Sequence, residues 1–282
     1  LEILLNKLTV SLVDMNLNIL QMRRSMDFVL ANTEESLQEV VSFTRETIEE
    51  FGVEHEQLLG LGVAITGRIN PRTGSSSSFF SWLKPSLKRY LSQEFDLPVK
   101  VNNDTRCLGL AEKKIGLARN YRNAIVINLS QGFGTSLIVE NRIVNGGNGF
   151  AGEFGNMQFG DNNKICICGK RGCLGNEVSG YALSEKFREG IENGELSLLT
   201  DEMPLSKIRH THILNAALGG DSFSITLLQN MGLKLGRALG NIINLLNPEV
   251  IIIGGDFASA ESFLGDSLKS GIANSALVNP LK

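Results

Sequence analysis

The chain of 282 residues carries 27 basic against 30 acidic side chains, a formal net charge of −3, and 42% hydrophobic residues. That balance belongs to a globular body of one large domain or two lobes, with its 30 glycines gathered in loops rather than low-complexity tracts. No Lys/Arg block gives an electrostatic footprint for nucleic acid, no apolar run approaches a membrane span, and no stretch reads as a signal peptide.

Residues 1–5, 8–13 and 18–22 read as short strands, with Asp14, Met15 and Asn16 as turn material between the last two. Thr33 is an N-cap followed by Glu34 and Glu35. Leu37, Val40, Val41, Thr44, Ile48 and Phe51 then share one helical face, and Gly52 ends the helix. Residues 59–65 read as a buried strand and 66–81 as a loop. Pro85 opens a helix to Phe95, 99–102 is a strand, and a helix runs from Thr105 to about Ile115. Residues 124–129 and 135–139 are strands joined by Ser130-Gln131-Gly132-Phe133-Gly134, and a short third strand follows Asn141. Helices are expected over 182–193, 213–218, 223–246 and 259–273, with a strand at 249–253 ending in Gly254-Gly255. Strand groups with a βα pair recur in each half. This points to two related α/β lobes, 1–104 and 105–282, with a ligand in the cleft at the seam near Asn103. The chain starts at Leu1 without a methionine and stops at residues 279–282 soon after an αβ unit, so further sequence is expected upstream.

The stretch 146–180 organises the rest. It is too rich in glycine for a helix or central strand and holds Cys166, Cys168 and Cys173. Three thiols within eight positions, with Cys107 alone elsewhere, point to metal ligation in a reducing, cytoplasmic compartment rather than to a disulfide framework.

Four pieces in order carry a resemblance over nearly the whole chain. They are Asn103-Asp104, Gly132-Phe133-Gly134-Thr135, Gly152-Glu153-Phe154-Gly155-Asn156 followed by Cys166-Ile-Cys168-Gly-Lys-Arg-Gly-Cys173, and Pro248-Glu-Val-Ile-Ile-Ile-Gly254-Gly255. Together they resemble the ROK family (repressors, open reading frames and sugar kinases). The resemblance implies the two-lobed actin-like ATPase, or ribonuclease H-like, α/β fold. It also implies a homo-oligomer, dimer or tetramer, that binds a sugar or sugar phosphate. For a kinase, it implies Asp104 as base, Gly132, Gly134, Thr135, Gly254 and Gly255 around ATP and Mg²⁺, and a phosphate loop between the first two strands. The sugar would be held by Asn103, Asp104, Glu153, Asn156 and Gly67. Structural Zn²⁺ would be held by Cys166, Cys168 and Cys173.

The departures choose between functions. The first phosphate loop reads Glu2-Ile3-Leu4-Leu5-Asn6-Lys7, without glycine, and bulky residues keep backbone amides off a phosphate. The family's zinc-binding histidine is Asn156 here. Its last sugar-contacting glutamate is Gly175, and Glu177, two residues on, could substitute only if the loop backbone shifts. Water, or His210 or His212, is a candidate to complete the metal shell. From the residues alone Asp104 reads equally as an Asx cap, and Trp82 either stacks on a ligand or sits half-buried. The departures favour the effector-binding and oligomerisation region of a ROK-type repressor of carbohydrate metabolism, meeting operator DNA through a segment outside this chain. The alternative is an ATP-dependent sugar kinase of glucokinase or N-acetylhexosamine kinase type.

Overall fold

The computed structural model describes residues 1–159 and 162–277, and the chain end at 279–282 lies outside them. The chain forms two compact units, Leu1–Leu110 with Val144–Ala151, and Ala111–Ile143 with Gly152–Lys282.

In the first unit, β1 (Glu2–Leu4), β2 (Lys7–Val13), β3 (Ile19–Ser25), β4 (Leu61–Ile65) and β7 (Val99–Asn103) form one sheet in the order β3-β2-β1-β4-β7. The hairpin strands β1 to β3 are antiparallel, and β1, β4 and β7 are parallel. The stretch 66–81, expected as loop, folds back as a small hairpin of β5 (Ile69–Asn70) and β6 (Ser75–Ser76). Its turn is set by the Asn70 carboxamide, which accepts from the Arg72 amide at 3.0 Å. Helix α1 (Glu34–Glu50) is capped by Thr33 as expected and buries Leu37, Val40, Val41, Thr44 and Thr47 on the sheet. Helix α2 (Leu87–Phe95) begins two residues later than Pro85 because Ser86 is its N-cap, accepting from the Arg89 amide. Helix α3 (Asp104–Lys114) leaves the end of β7 directly.

The second unit has the sheet order β10-β9-β8-β11, from β8 (Ala124–Leu129), β9 (Phe133–Val139), β10 (Arg142–Ile143) and β11 (Val250–Gly254). Strand β8 is buried on both faces, and β11 runs parallel to it. The stretch 146–180 is loop for most of its length but includes two single turns. One is a 3₁₀ turn at Phe154–Asn156 and the other is α4 (Gly175–Val178), where helix was not expected. Then follow α5 (Gly180–Glu192), α6 (Leu199–Glu202), α7 (His210–Leu218), α8 (Ser222–Leu246) and α9 (Glu261–Ala273). The last expected helix splits, because a 3₁₀ segment occupies Asp256–Ala260 before α9 starts.

Helices α8 and α9 approach backbone to backbone. Gly232, Gly236 and Gly240 lie at helical spacing along α8. A Cβ on Gly236 would stand 2.1 Å from the Leu268 carbonyl oxygen and 2.9 Å from the Cα of Gly271. No rotamer relieves a clash with backbone. Gly236→Ala is therefore expected to destabilise the fold by roughly 1–3 kcal/mol in urea unfolding. Gly265→Ala on α9, whose nearest neighbour would be 3.9 Å away, should be neutral or stabilising by up to about 1 kcal/mol.

Candidate functional site

In the first unit the β7 to α3 junction places Asn103 and Asp104. The Asn103 carboxamide caps α3 by accepting from the Arg106 amide at 3.1 Å. Its Nδ2 donates to the Gly67 carbonyl at 2.9 Å and to Asp104 Oδ1 at 2.7 Å. Gly67, Asn103 and Asp104 are thus brought together, and Asn103, not Asp104, is the cap. Gly67 has φ +99°, and a Cβ there would meet Ser78 at 2.6 Å, so this turn requires glycine. Asp104 Oδ1 also accepts from the Thr105 amide at 2.8 Å. Burial pushes the Asp104 carboxyl above its ordinary range. The Thr105 amide and Thr66 hydroxyl pull it back in part, and the charge of Glu2 adds to the rise. A carboxyl with raised proton affinity at a strand end suits a proton acceptor or a hydroxyl-binding group.

Sequence reading passed over Arg106. Its side chain is 2% exposed and donates to the carbonyls of Ile69 at 3.4 Å and Ala151 at 3.3 Å. It binds the β5 turn to the end of the glycine segment 144–151. The only hint in the sequence is its place on the buried face of α3, beside Thr105 and Gly109. Beside this junction Asn70, Arg72, Asn145 and the glycines 146, 147 and 149 line a polar recess of about 240 Å³. Asn145 Oδ1 is buried there without a hydrogen-bond partner. Trp82 is 42% exposed, outside the core of this unit.

The β1–β2 turn departs most from a phosphate loop. Leu4 pairs with Lys7, and the Leu5 carbonyl accepts from the Leu30 amide at 2.9 Å. The Glu2 carboxylate is held by Lys7 Nζ at 3.0 Å and the Thr9 hydroxyl at 3.2 Å.

In the second unit the Thr135 hydroxyl donates to the Gly152 carbonyl. That bond pins the loop from which Glu153 and the 3₁₀ turn to Asn156 project. Gly132 lies open at the β8–β9 turn and Gly134 pairs with Asn128 on β8. Gly255, at φ +88°, lies so close to Leu129 and Ser130 that a Cβ would stand 2.3 Å from the Leu129 oxygen. The sulfurs of Cys166, Cys168 and Cys173 lie within 4.8 Å of one another. Cys168 is pulled down to about 7, first by the Lys170 backbone amide, and Cys173 is pushed up to about 12, first by burial. Asn156 Nδ2 is 3.8 Å from Cys166 Sγ.

Glu177, His210 and His212, the conditional substitutes, are engaged elsewhere. Glu177 does not reach toward a ligand. Its carboxylate is 2.8 Å from Lys186 Nζ and 2.5 Å from Lys234 Nζ, because α4 turns it inward against α5 and α8. Burial raises the Glu177 carboxyl, and the two lysines outweigh that and hold it below the ordinary range. Neither histidine joins the thiols. His210 Nε2 pairs with Asp256 at 2.9 Å while its ring stacks on Phe257, and His212 Nδ1 accepts from the Arg209 amide. Among the described residues, the only grouped metal donors are the three cysteines.

The folded state holds the Asp104 proton more tightly than the unfolded chain does. Stability from this group therefore falls as pH rises through its raised pKa. Asp104→Asn keeps an acceptor for the Thr105 amide and removes the charge. It is expected to raise the thermal midpoint at neutral pH, with the gain vanishing below the ordinary carboxylate range. A gain of constant size across pH would show that a buried charge is not its source.

The sequence model of the ROK family matches residues 2–281. The xylose repressor of Bacillus subtilis (strain 168) is 30% identical over 222 residues, 77% of this chain and 53% of that protein. The glucokinase of Halalkalibacterium halodurans is 32% identical over 215 residues, 75% of this chain and 64% of that protein. This chain spans between about half and two thirds of the length of these curated relatives. The crystal structure of a ROK family transcriptional regulator, a homolog of the E. coli MLC protein, superposes with a TM-score of 0.85 at 27% identity, over 99% of this chain and 70% of that one. The fold is the two-lobed actin-like α/β fold, and the chain belongs to the ROK family.

Proposed function

We propose that this chain is the sugar-sensing, effector-binding and oligomerisation region of a ROK transcriptional regulator of carbohydrate metabolism, working in the cytoplasm as a homodimer or tetramer. The observation that carries this reading is the β1–β2 turn. Its acid, Glu2, is paired with Lys7 and hydrogen-bonded by the Thr9 hydroxyl, and bulky Leu4 and Leu5 stand where a phosphate cradle needs glycine. The likeness to xylose repressors supports the same reading.

The sugar, or sugar phosphate, is taken by Gly67, Asn103, Asp104, Glu153 and Asn156. Asp104 and Glu153 accept from hydroxyls, and the unpartnered Asn145 Oδ1 offers one further acceptor. Cys166, Cys168 and Cys173 hold Zn²⁺. Tetrahedral zinc with sulfurs at about 2.3 Å sets them roughly 3.8 Å apart, a spacing compatible with the cluster. The ion, when bound, cross-links the loop that carries Glu153. Operator DNA is met by a segment outside this chain.

A sugar kinase is the second reading, favoured by the raised proton affinity of Asp104 and by the likeness to a glucokinase. Gly132, Gly134, Thr135, Gly254 and Gly255 would then face ATP and Mg²⁺. Against it, the Thr135 hydroxyl is already engaged by Gly152. The two readings separate in a panel of pentoses, hexoses, N-acetylhexosamines and their phosphates. The regulator should show a ligand-dependent rise in thermal midpoint for one sugar class and no sugar-dependent ADP release. ADP release that Asp104→Asn abolishes would establish the kinase instead.

A further inference from the structure

We infer that the recess between the β5 turn and the glycine segment is an oxyanion subsite, which holds the phosphate or carboxylate of an acidic sugar whose ring lies at Gly67, Asn103 and Asp104. The inference rests on the sugar-sensing reading above and narrows it to one class of ligand.

Two walls make the recess. The first is the β5 turn, where the Asn70 carboxamide oxygen accepts from the amides of Arg72 at 3.0 Å and Thr73 at 3.4 Å. With its oxygen so engaged, Asn70 presents its Nδ2 as a donor, and Arg72 stands exposed beside it. The second wall is the segment 145–151, closed on itself by the Ala151 amide, which donates to the Asn145 carbonyl at 3.2 Å. Within it Gly146 has φ +71° and Gly149 has φ +85°. A Cβ on Gly149 would stand 2.4 Å from the Ile69 oxygen and 2.8 Å from Pro71 Cδ, so glycine is what lets the walls meet. Arg106 fastens them by donating to one carbonyl of each, Ile69 and Ala151.

The chemistry of the lining selects an anion. Among the described residues it holds one cation, Arg72, three glycines and no carboxylate. Successive amides turned through left-handed glycines form a concavity that favours negative charge. A guanidinium adds two parallel N–H donors for a phosphate or carboxylate. Asn145 Oδ1, buried and without a partner, is the one acceptor in the lining. A phosphate dianion has no hydrogen to give it, whereas a sugar hydroxyl does. That favours an anion carried on a sugar over the free ion.

Size points the same way. At about 240 Å³ the recess is smaller than pockets that enclose a whole small ligand, roughly 300–1,000 Å³. It suits a charged substituent whose parent ring lies outside. Gly67 is only three residues before Asn70, at most about 11 Å along the chain, so a ring held at Gly67 and Asn103 is within reach.

The test is calorimetric titration of the whole chain with glucose, N-acetylglucosamine and xylose, their terminal phosphate esters, glucuronate and inorganic phosphate. One acidic sugar is expected to bind about tenfold or more tightly than its neutral parent, a charge-assisted contact's worth. Arg72→Ala should erase that advantage and Arg72→Lys keep part of it. Lys100→Ala, which removes an exposed charge on β7 of the same unit, should leave it intact. All three side chains replaced are on the surface, so the thermal midpoints should stay at the native value. Acidic and neutral sugars that bind alike overturn the subsite and leave the sugar-sensing reading standing. So does an advantage that survives Arg72→Ala. Inorganic phosphate that binds as tightly as every acidic sugar, and is lost in Arg72→Ala, overturns the sugar-borne anion in favour of a free one. A chain that binds no sugar, neutral or acidic, overturns the sugar-sensing reading as well.

Discussion

One carboxamide holds the candidate site of the first unit in register. Asn103 ends a parallel strand, caps the helix that follows and grips the carbonyl of Gly67. Each of its hydrogen bonds is modest in net terms. Their value lies in joining the strand end, the helix that follows it and the turn at Gly67, 36 residues away, through a single planar group. Asp104 inherits its position from this arrangement, and its raised proton affinity follows first from burial at the junction, with the like charge of Glu2 adding to it. Arg106 extends the same logic by one turn of α3, carrying the register to the β5 hairpin and the glycine segment.

The sequence disclosed what depends on local chemistry. A strand-end Asn-Asp, a thiol trio and Gly-x-Gly turns are visible because each needs particular residue types at short spacing. The capping threonine of α1 and most strands were legible for the same reason. What stayed hidden was non-local. Glu177 looked available because nothing nearby in sequence opposes it, while its partners are 9 and 57 residues away. The stripe Gly232, Gly236 and Gly240 was masked by the stronger apolar periodicity of α8, which accounts for a buried helix without revealing how closely another lies against it. The hairpin within 66–81 was hidden because four serines carry almost no strand signal.

The fold itself does not separate a regulator from a kinase, since both kinds of protein share it. The regulator proposed here rests on the two-residue β1–β2 turn. Closing β1 onto β2 with leucines, and satisfying Glu2 with Lys7, converts a place where phosphate could be cradled into an ordinary hairpin. A hairpin of this kind needs nothing bound to be complete, whereas the recess beside the β5 turn keeps an unpartnered acceptor in Asn145. Among the described residues, what the fold leaves unsatisfied includes the Asn145 acceptor and the cluster of three thiols.

The bare seam between α8 and α9 has a mechanical side. Side chains interposed between helices act as compliant spacers, able to switch rotamer while the backbones slide. Here Gly236 and Gly271 leave no such spacer, and Lys234, two residues before Gly236, grasps the carboxylate of α4 just after the cysteine loop. A rod of 25 residues is about 37 Å long. A displacement of α4 would therefore be resisted along α8, because a seam of backbone against backbone leaves α9 no side-chain rearrangement with which to let it slide.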